Sequence, residues 1–136
     1  MRSLLLVIVL ITFGQGATAK DCTPEQARAA EAIAATRETW QEIHAAYRQY
    51  SNCDDGAIAE GFTESVVHHL ASKWAALPEA QRLIATDPLF EEFVVKHINA
   101  SASSKELGLI IELSKKHCPA KAQALCRKLE KAAREQ

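Results

Sequence analysis

Thr23-Pro24-Glu25-Gln26 opens the run TPEQARAAEAIAATRETWQEIHAAYRQY, residues 23–50, which contains no glycine and no second proline. Thr23 can cap a helix, Pro24 suits the first helical position, and Gln26 stands at the spacing that completes a capping box. Ile33, Trp40, Ile43, Tyr47 and Tyr50 then recur close to a heptad seam. The stretch predicts one long first helix over about 24–50. It sets the fold class as all-α, because a helix of that length must lay its apolar stripe against other helices.

Outward from this rod, Ser51-Asn52-Cys53-Asp54-Asp55-Gly56 reads as a turn followed by a cap. A second helix is expected from about 57 to 77, with Ile58, Phe62, Val66, Val67, Leu70, Trp74 and Leu77 on its apolar face. Pro78 opens a short helix over about 78–86. Asp87 caps and Pro88 starts another, about 88–99, using Leu89, Phe90, Phe93, Val94 and Ile98. Residues 101–104 form a serine-rich linker, and Ser103 with Glu106 makes a second capping box. A helix over about 104–116 uses Leu107, Ile110 and Ile111. A last one, from Pro119 to about 134, turns Leu125, Cys126, Leu129 and Ala132 inward. Short connections favour antiparallel neighbours, so the expected architecture is a small antiparallel helical bundle of about five to six helices.

The N-terminus carries a different signal. Met1-Arg2-Ser3 is a short basic region, Leu4 to Phe13 is apolar, Gly14-Gln15-Gly16 breaks the run, and Ala17-Thr18-Ala19 supplies small residues for cleavage. That is the pattern of a secretory signal peptide. The apolar run is shorter than the roughly 20 residues that span a bilayer. Cleavage after Ala19 is expected, leaving Lys20–Gln136 as a single helical domain in the periplasm or outside the cell. A retained N-terminal anchor is the competing reading. A lipid anchor on Cys22 is disfavoured, since Lys20 and Asp21 place charges where small residues are needed. No stable membrane insertion is expected after cleavage.

The chain has 136 residues, with 16 Lys plus Arg against 17 Asp plus Glu, a formal net charge of −1. With no overall basic excess and no interleaving of basic and aromatic residues, nucleic acid is not an expected partner.

Four cysteines, Cys22, Cys53, Cys118 and Cys126, lie beyond the signal segment. An even count in a small exported chain reads as two disulfides; their spacing does not suit zinc. Geometry presses on every pairing. A straight helix over 24–50 would hold Cys22 and Cys53 about 40 Å apart, whereas a disulfide needs Cα atoms within about 7 Å. Two helical cysteines eight positions apart would be separated by about 12 Å. Either the first helix breaks or the 118–122 segment is not helical. Cross-pairing is the favoured expectation: Cys22 and Cys53 each bonded to one of Cys118 and Cys126, clamping the C-terminal hairpin onto the first two helices.

The densest polar cluster is Asp54 and Asp55 followed by Glu60, Glu64 and His68, the last three in register on one helix face. Such a row could hold a divalent metal. It lies almost opposite the apolar face, however, and acids at a helix N-terminus are favoured by the dipole, so no metal and no cofactor are expected. His68 projects to solvent, His69 borders the core, His44 and His97 flank apolar stripes, and His117 ends a helix. Histidine near Ser65 or Ser72 makes no triad without an orienting carboxylate and an oxyanion site; no catalytic residue is assigned, and the chain is not expected to be an enzyme. Trp40, Tyr47, Tyr50 and Trp74 could line a pocket between the first two helices, although their spacing fits core better. Asn99-Ala100-Ser101 matches a glycosylation acceptor in a eukaryotic secretory pathway.

The segment Asn52-Cys53-Asp54-Asp55-Gly56-Ala57-Ile58-Ala59-Glu60-Gly61-Phe62, with Asp87-Pro88-Leu89-Phe90 and Cys118-Pro119, resembles small exported proteobacterial proteins. In general build the chain is similar to periplasmic immunity proteins of type VI secretion effectors. The resemblance implies a protein that binds and blocks a cell-wall-degrading toxin. Asp54, Asp55, Glu60, Glu64 and His68 are then the expected partner-binding residues, facing a basic cleft on a protein of the cell envelope. A small-molecule carrier, with an aromatic pocket between the first two helices, and a structural envelope protein are the alternatives; the sequence also allows a homodimer.

Overall fold

The structure, a computed structural model, describes residues 21–136; the signal peptide expected over residues 1–19 lies outside the described residues. Seven α-helices follow in order: α1 (Pro24–Ala34), α2 (Trp40–Tyr50), α3 (Gly56–Ser72), α4 (Leu77–Thr86), α5 (Pro88–Lys96), α6 (Ser104–Lys116) and α7 (Gln123–Arg134). Single 3-10 turns at Ser51–Cys53, Trp74–Ala76 and Ala120–Ala122 precede α3, α4 and α7. There is no strand among the described residues. The all-α bundle stapled by two disulfides is the observed fold, with more and shorter helices than the sequence suggests.

The expected first helix is two helices. α1 begins as anticipated, with Thr23 Oγ1 accepting from Gln26 N and Gln26 Oε1 accepting from Thr23 N. It stops at Ala34 because the next residues turn their bonds elsewhere. Thr36 N and Oγ1 both donate to Ile33 O, and Arg37 Nε adds a third donor to the same carbonyl. Thr39 then caps α2, its hydroxyl accepting from Glu42 N at 3.2 Å, while Glu42 Oε2 accepts from Glu38 N at 2.7 Å. Caps of this kind are worth about 1 kcal/mol each, enough to offset the few hydrogen bonds lost by interrupting the rod. From α3, Ser65 Oγ donates to Ala34 O and accepts from Arg37 N, fixing the bend.

The break resolves the cysteine geometry, and it overturns the cross-pairing. α1 and α2 fold back on each other, so Cys22 meets Cys53 with Cα atoms 4.9 Å apart. At the other end Cys118 and Pro119 are outside any helix (Pro119 ψ 143°) and α7 starts only at Gln123, four residues later than expected. Cys118 therefore reaches Cys126 at a Cα distance of 6.2 Å, within disulfide range. Each bond closes a local loop; neither clamps the C-terminal hairpin to α1 or α2.

α3 is the centre of the bundle, packing against α1, α2 and α6, while α6 pairs with α7 as a hairpin. Trp40, Phe62, Leu70, Leu77, Phe90, Ile98, Ile110, Leu125 and Leu129 are fully buried. α3 ends at Lys73, whose Nζ bonds both the side chain and the main-chain carbonyl of Glu38. No helix of the described residues is long and apolar enough to cross a membrane.

Candidate partner-binding groove

α3 places Glu60, Glu64 and His68 on one outward face, all exposed, as their spacing predicts. Beside them the chain forms a groove of about 610 Å³, floored by Ala57, Gly61, Thr63 and Val67 of α3 and closed by Ala35, Ser101, Ala102 and Glu106. A second hollow of about 250 Å³ continues from it, lined by Arg37, Glu38, Glu64, Ser65 and His68. The rim is acidic. Glu106 is occupied by its capping box, accepting from Ser103 N and Oγ. Glu38 is held by Lys73, whose hydrogen bond and charge keep its carboxyl below the usual carboxylate range. Glu60 and Glu64 make no ion pair among the described residues and present free carboxylates. Glu38 and Glu106 come from outside the acidic run; the capping spacing explains why Glu106 is where it is, but nothing in the sequence brings it to this groove.

Asp54 and Asp55 do not join that face. Asp55 caps α3, Oδ1 accepting from Gly56 N at 2.8 Å, and Gly56 turns the chain with a φ of +53° that favours glycine. Asp54 turns inward, its side chain 7% exposed. Its Oδ2 accepts from Lys96 Nζ at 2.7 Å and from His97 Nε2 at 3.2 Å. Burial alone would raise its pKa, but the hydrogen bonds from His97 and Lys96 outweigh that and hold the carboxyl below its ordinary value. Asp54 therefore acts as an internal brace. The chain of bonds continues: Asn99 Nδ2 donates to Thr63 Oγ1, and that hydroxyl is hydrogen-bonded to His97 Nδ1 at 2.9 Å, while His97 Nε2–H serves Asp54. Thr63 and His97 are both buried, so the arrangement binds the end of α5 to α3.

A matching brace holds the start of α5. His44 Nε2 lies 2.9 Å from Asp87 Oδ2, with Arg48 Nη1 at 3.4 Å from the same oxygen. The His44 hydrogen bond, aided by Arg48, keeps the Asp87 carboxyl below its usual range. His69 is buried rather than at the core edge, its Nδ1–H donating to Ser65 O.

Trp40 and Tyr50 are in the core, and Trp74 donates its indole N–H to His117 O. Trp40, Tyr47, Phe90, Phe93 and Phe62 form a run of contacting rings, so the aromatics serve as packing. Among the described residues no group of three or more His, Cys, Asp or Glu side chains is placed to hold a metal ion.

No protein-family model, curated protein or solved structure matches this chain.

Proposed function

We propose that the chain is an exported, non-enzymatic protein-binding module of the inhibitor or immunity type, acting in the cell envelope. Its groove beside α3 takes a cationic segment of the partner. The observation that carries the reading is the pair of free carboxylates, Glu60 and Glu64, one helical turn apart on the rim of that groove. Paired charges inside the molecule are satisfied by its own Lys and His; these two are not. Two local disulfides support the compartment, since such bonds persist in oxidising surroundings. Complementary charge at such a rim speeds association and sets specificity.

The test is a photo-crosslinking residue placed at His68 in cells that express the full chain. A single protein crosslinked through a basic surface supports the reading, provided Glu60→Lys with Glu64→Lys abolishes the crosslink without lowering the melting temperature. Protection of cells against a co-expressed cell-wall-degrading toxin, lost in the same variant, identifies the partner class. A crosslink that survives the double charge reversal refutes the groove.

A further inference from the structure

The near-neutral total charge conceals a division along the chain. Residues 21–114 carry fifteen acidic and seven basic side chains, net −8, whereas residues 115–136 carry two acidic and seven basic ones, net +5. In the structure four of those basic residues stand on α7, while Lys116 at the end of α6 is paired with Glu112 at 3.0 Å. α7 buries Leu125, Cys126, Leu129, Ala132 and Ala133. By helical period, Arg127, Lys131 and Arg134 at i, i+4 and i+7 fall together on the opposite side, and Lys128 borders them. All four are exposed, as is Lys121 in the turn before the helix.

Internal pairing leaves much of this charge available. Lys128 is paired with Glu91 of α5, and Arg134 with Glu130 at 2.9 Å. Lys131 and Glu135 approach only to 3.8 Å, with both side chains more than half exposed. Lys115, Lys121 and Arg127 have no carboxylate within ion-pair distance among the described residues. α7, which bears Arg127, Lys128, Lys131 and Arg134, is anchored by the Cys118–Cys126 bond and by the Lys128–Glu91 pair, so those four charges hold a fixed array.

We infer that the outer face of α7, with the turn before it, docks peripherally on the anionic phospholipid surface of a bilayer. A row of cations along a straight helix presents charge in a plane, and each Lys or Arg near such a surface adds to the attraction. The face carries no large apolar side chain to insert; Leu89, the exposed large hydrophobic of the described residues, is on α5. Binding is therefore electrostatic and reversible, without penetration. The net −8 of the rest of the molecule opposes approach by any other side and orients the protein. The same face lacks exposed aromatic rings for stacking on bases, which disfavours single-stranded nucleic acid as the occupant.

Co-sedimentation of the purified protein with lipid vesicles tests this. Binding to phosphatidylcholine vesicles containing phosphatidylglycerol should exceed binding to phosphatidylcholine alone by at least about tenfold at low salt, and should fall steeply as the screening length shrinks to about 10 Å near 0.1 M salt. Arg127→Glu with Lys131→Glu should abolish it. Arg28→Glu with Arg82→Glu, the same charge change on other helices, should reduce it by no more than about threefold. Arg127→Gln with Lys131→Gln gives an intermediate loss and serves if the reversed pair fails to fold. Equal binding to both kinds of vesicle, equal losses in the two reversed pairs, or equally tight binding to duplex DNA would overturn the inference. Self-association at low salt that disappears with Arg127→Glu and Lys131→Glu, without vesicle binding, would assign the face to a second copy instead.

Discussion

Ser65 Oγ donates to the main-chain carbonyl of Ala34 at 2.5 Å, across the line where α3 meets the end of α1. The carbonyl is one of those a helix leaves without an internal partner at its C-terminus. One side chain thus closes the end of α1 and, by accepting from Arg37 N, directs the chain toward α2. Ser65→Ala removes both bonds at a buried position and should cost about 1–3 kcal/mol, read as a lower urea midpoint with an unchanged slope.

Gly61 and Gly108 should respond to alanine with opposite signs. A Cβ on Gly61 would lie 2.8 Å from Ala34 Cβ and 3.1 Å from Ala35 N, so α1 and α3 would have to part. Gly61→Ala should destabilise by about 1–3 kcal/mol despite its better helix propensity. A Cβ on Gly108, inside α6, meets nothing within 4 Å; Gly108→Ala should stabilise by about 0.5–1 kcal/mol. Thermal melts of the two variants are sufficient, and a gain at Gly61 would mean that the crossing is looser than described.

Acid should loosen α5 at both ends. Asp54 and Asp87 have pKa values lowered by their partners in the folded state. A depressed carboxyl stabilises the fold above its unfolded pKa, and that contribution disappears as pH falls through the folded value. Stability should therefore be level on the acid side of neutral and decline below about pH 4, near the ordinary carboxyl pKa. Asp87→Asn and Asp54→Asn should each flatten that decline in chemical-denaturation curves taken across the range. Asp54→Asn should also be the more costly at pH 7, because Asp54 and its partner His97 are more deeply buried than Asp87 and His44.

Non-reducing peptide mapping should return Cys22–Cys53 and Cys118–Cys126 only. The first closes a loop with a sequence separation of 31 and the second one of 8. On the chain-entropy account, replacing Cys22 and Cys53 by serine should cost about 3.5 kcal/mol, and replacing Cys118 and Cys126 about 2.5 kcal/mol. A larger loss from the second pair would show that its contribution is not loop closure but the anchoring of the turn before α7.

Local signals carried most of the architecture. The capping boxes at Thr23–Gln26 and Ser103–Glu106 start α1 and α6 where their spacing places them. The outward face of Glu60, Glu64 and His68 followed from helical period alone. The split of the first helix has a local signal too, since Thr39 and Glu42 stand at capping-box spacing; the expectation of one rod took only the unbroken run without Gly or Pro and missed it. What was not legible depends on distant partners. Ser65 selects the bend from 31 positions away, and the inward turn of Asp54 depends on Lys96 and His97, more than forty residues along the chain. The acidic run looked like a single surface because sequence proximity says nothing of which carboxylates find a cation inside the fold. Overall charge balance likewise concealed the basic C-terminal face, since two opposite regions cancel in a sum.

The order of the disulfides bears on how the molecule matures. First cysteine bonds to second and third to fourth, so a chain delivered N-terminus first to an oxidising compartment always has the correct partner as the next thiol to arrive. Oxidation in order of emergence yields the native set directly, with no mispaired intermediate for an isomerase to reshuffle. Production should therefore depend on a thiol oxidase alone and tolerate loss of the isomerase.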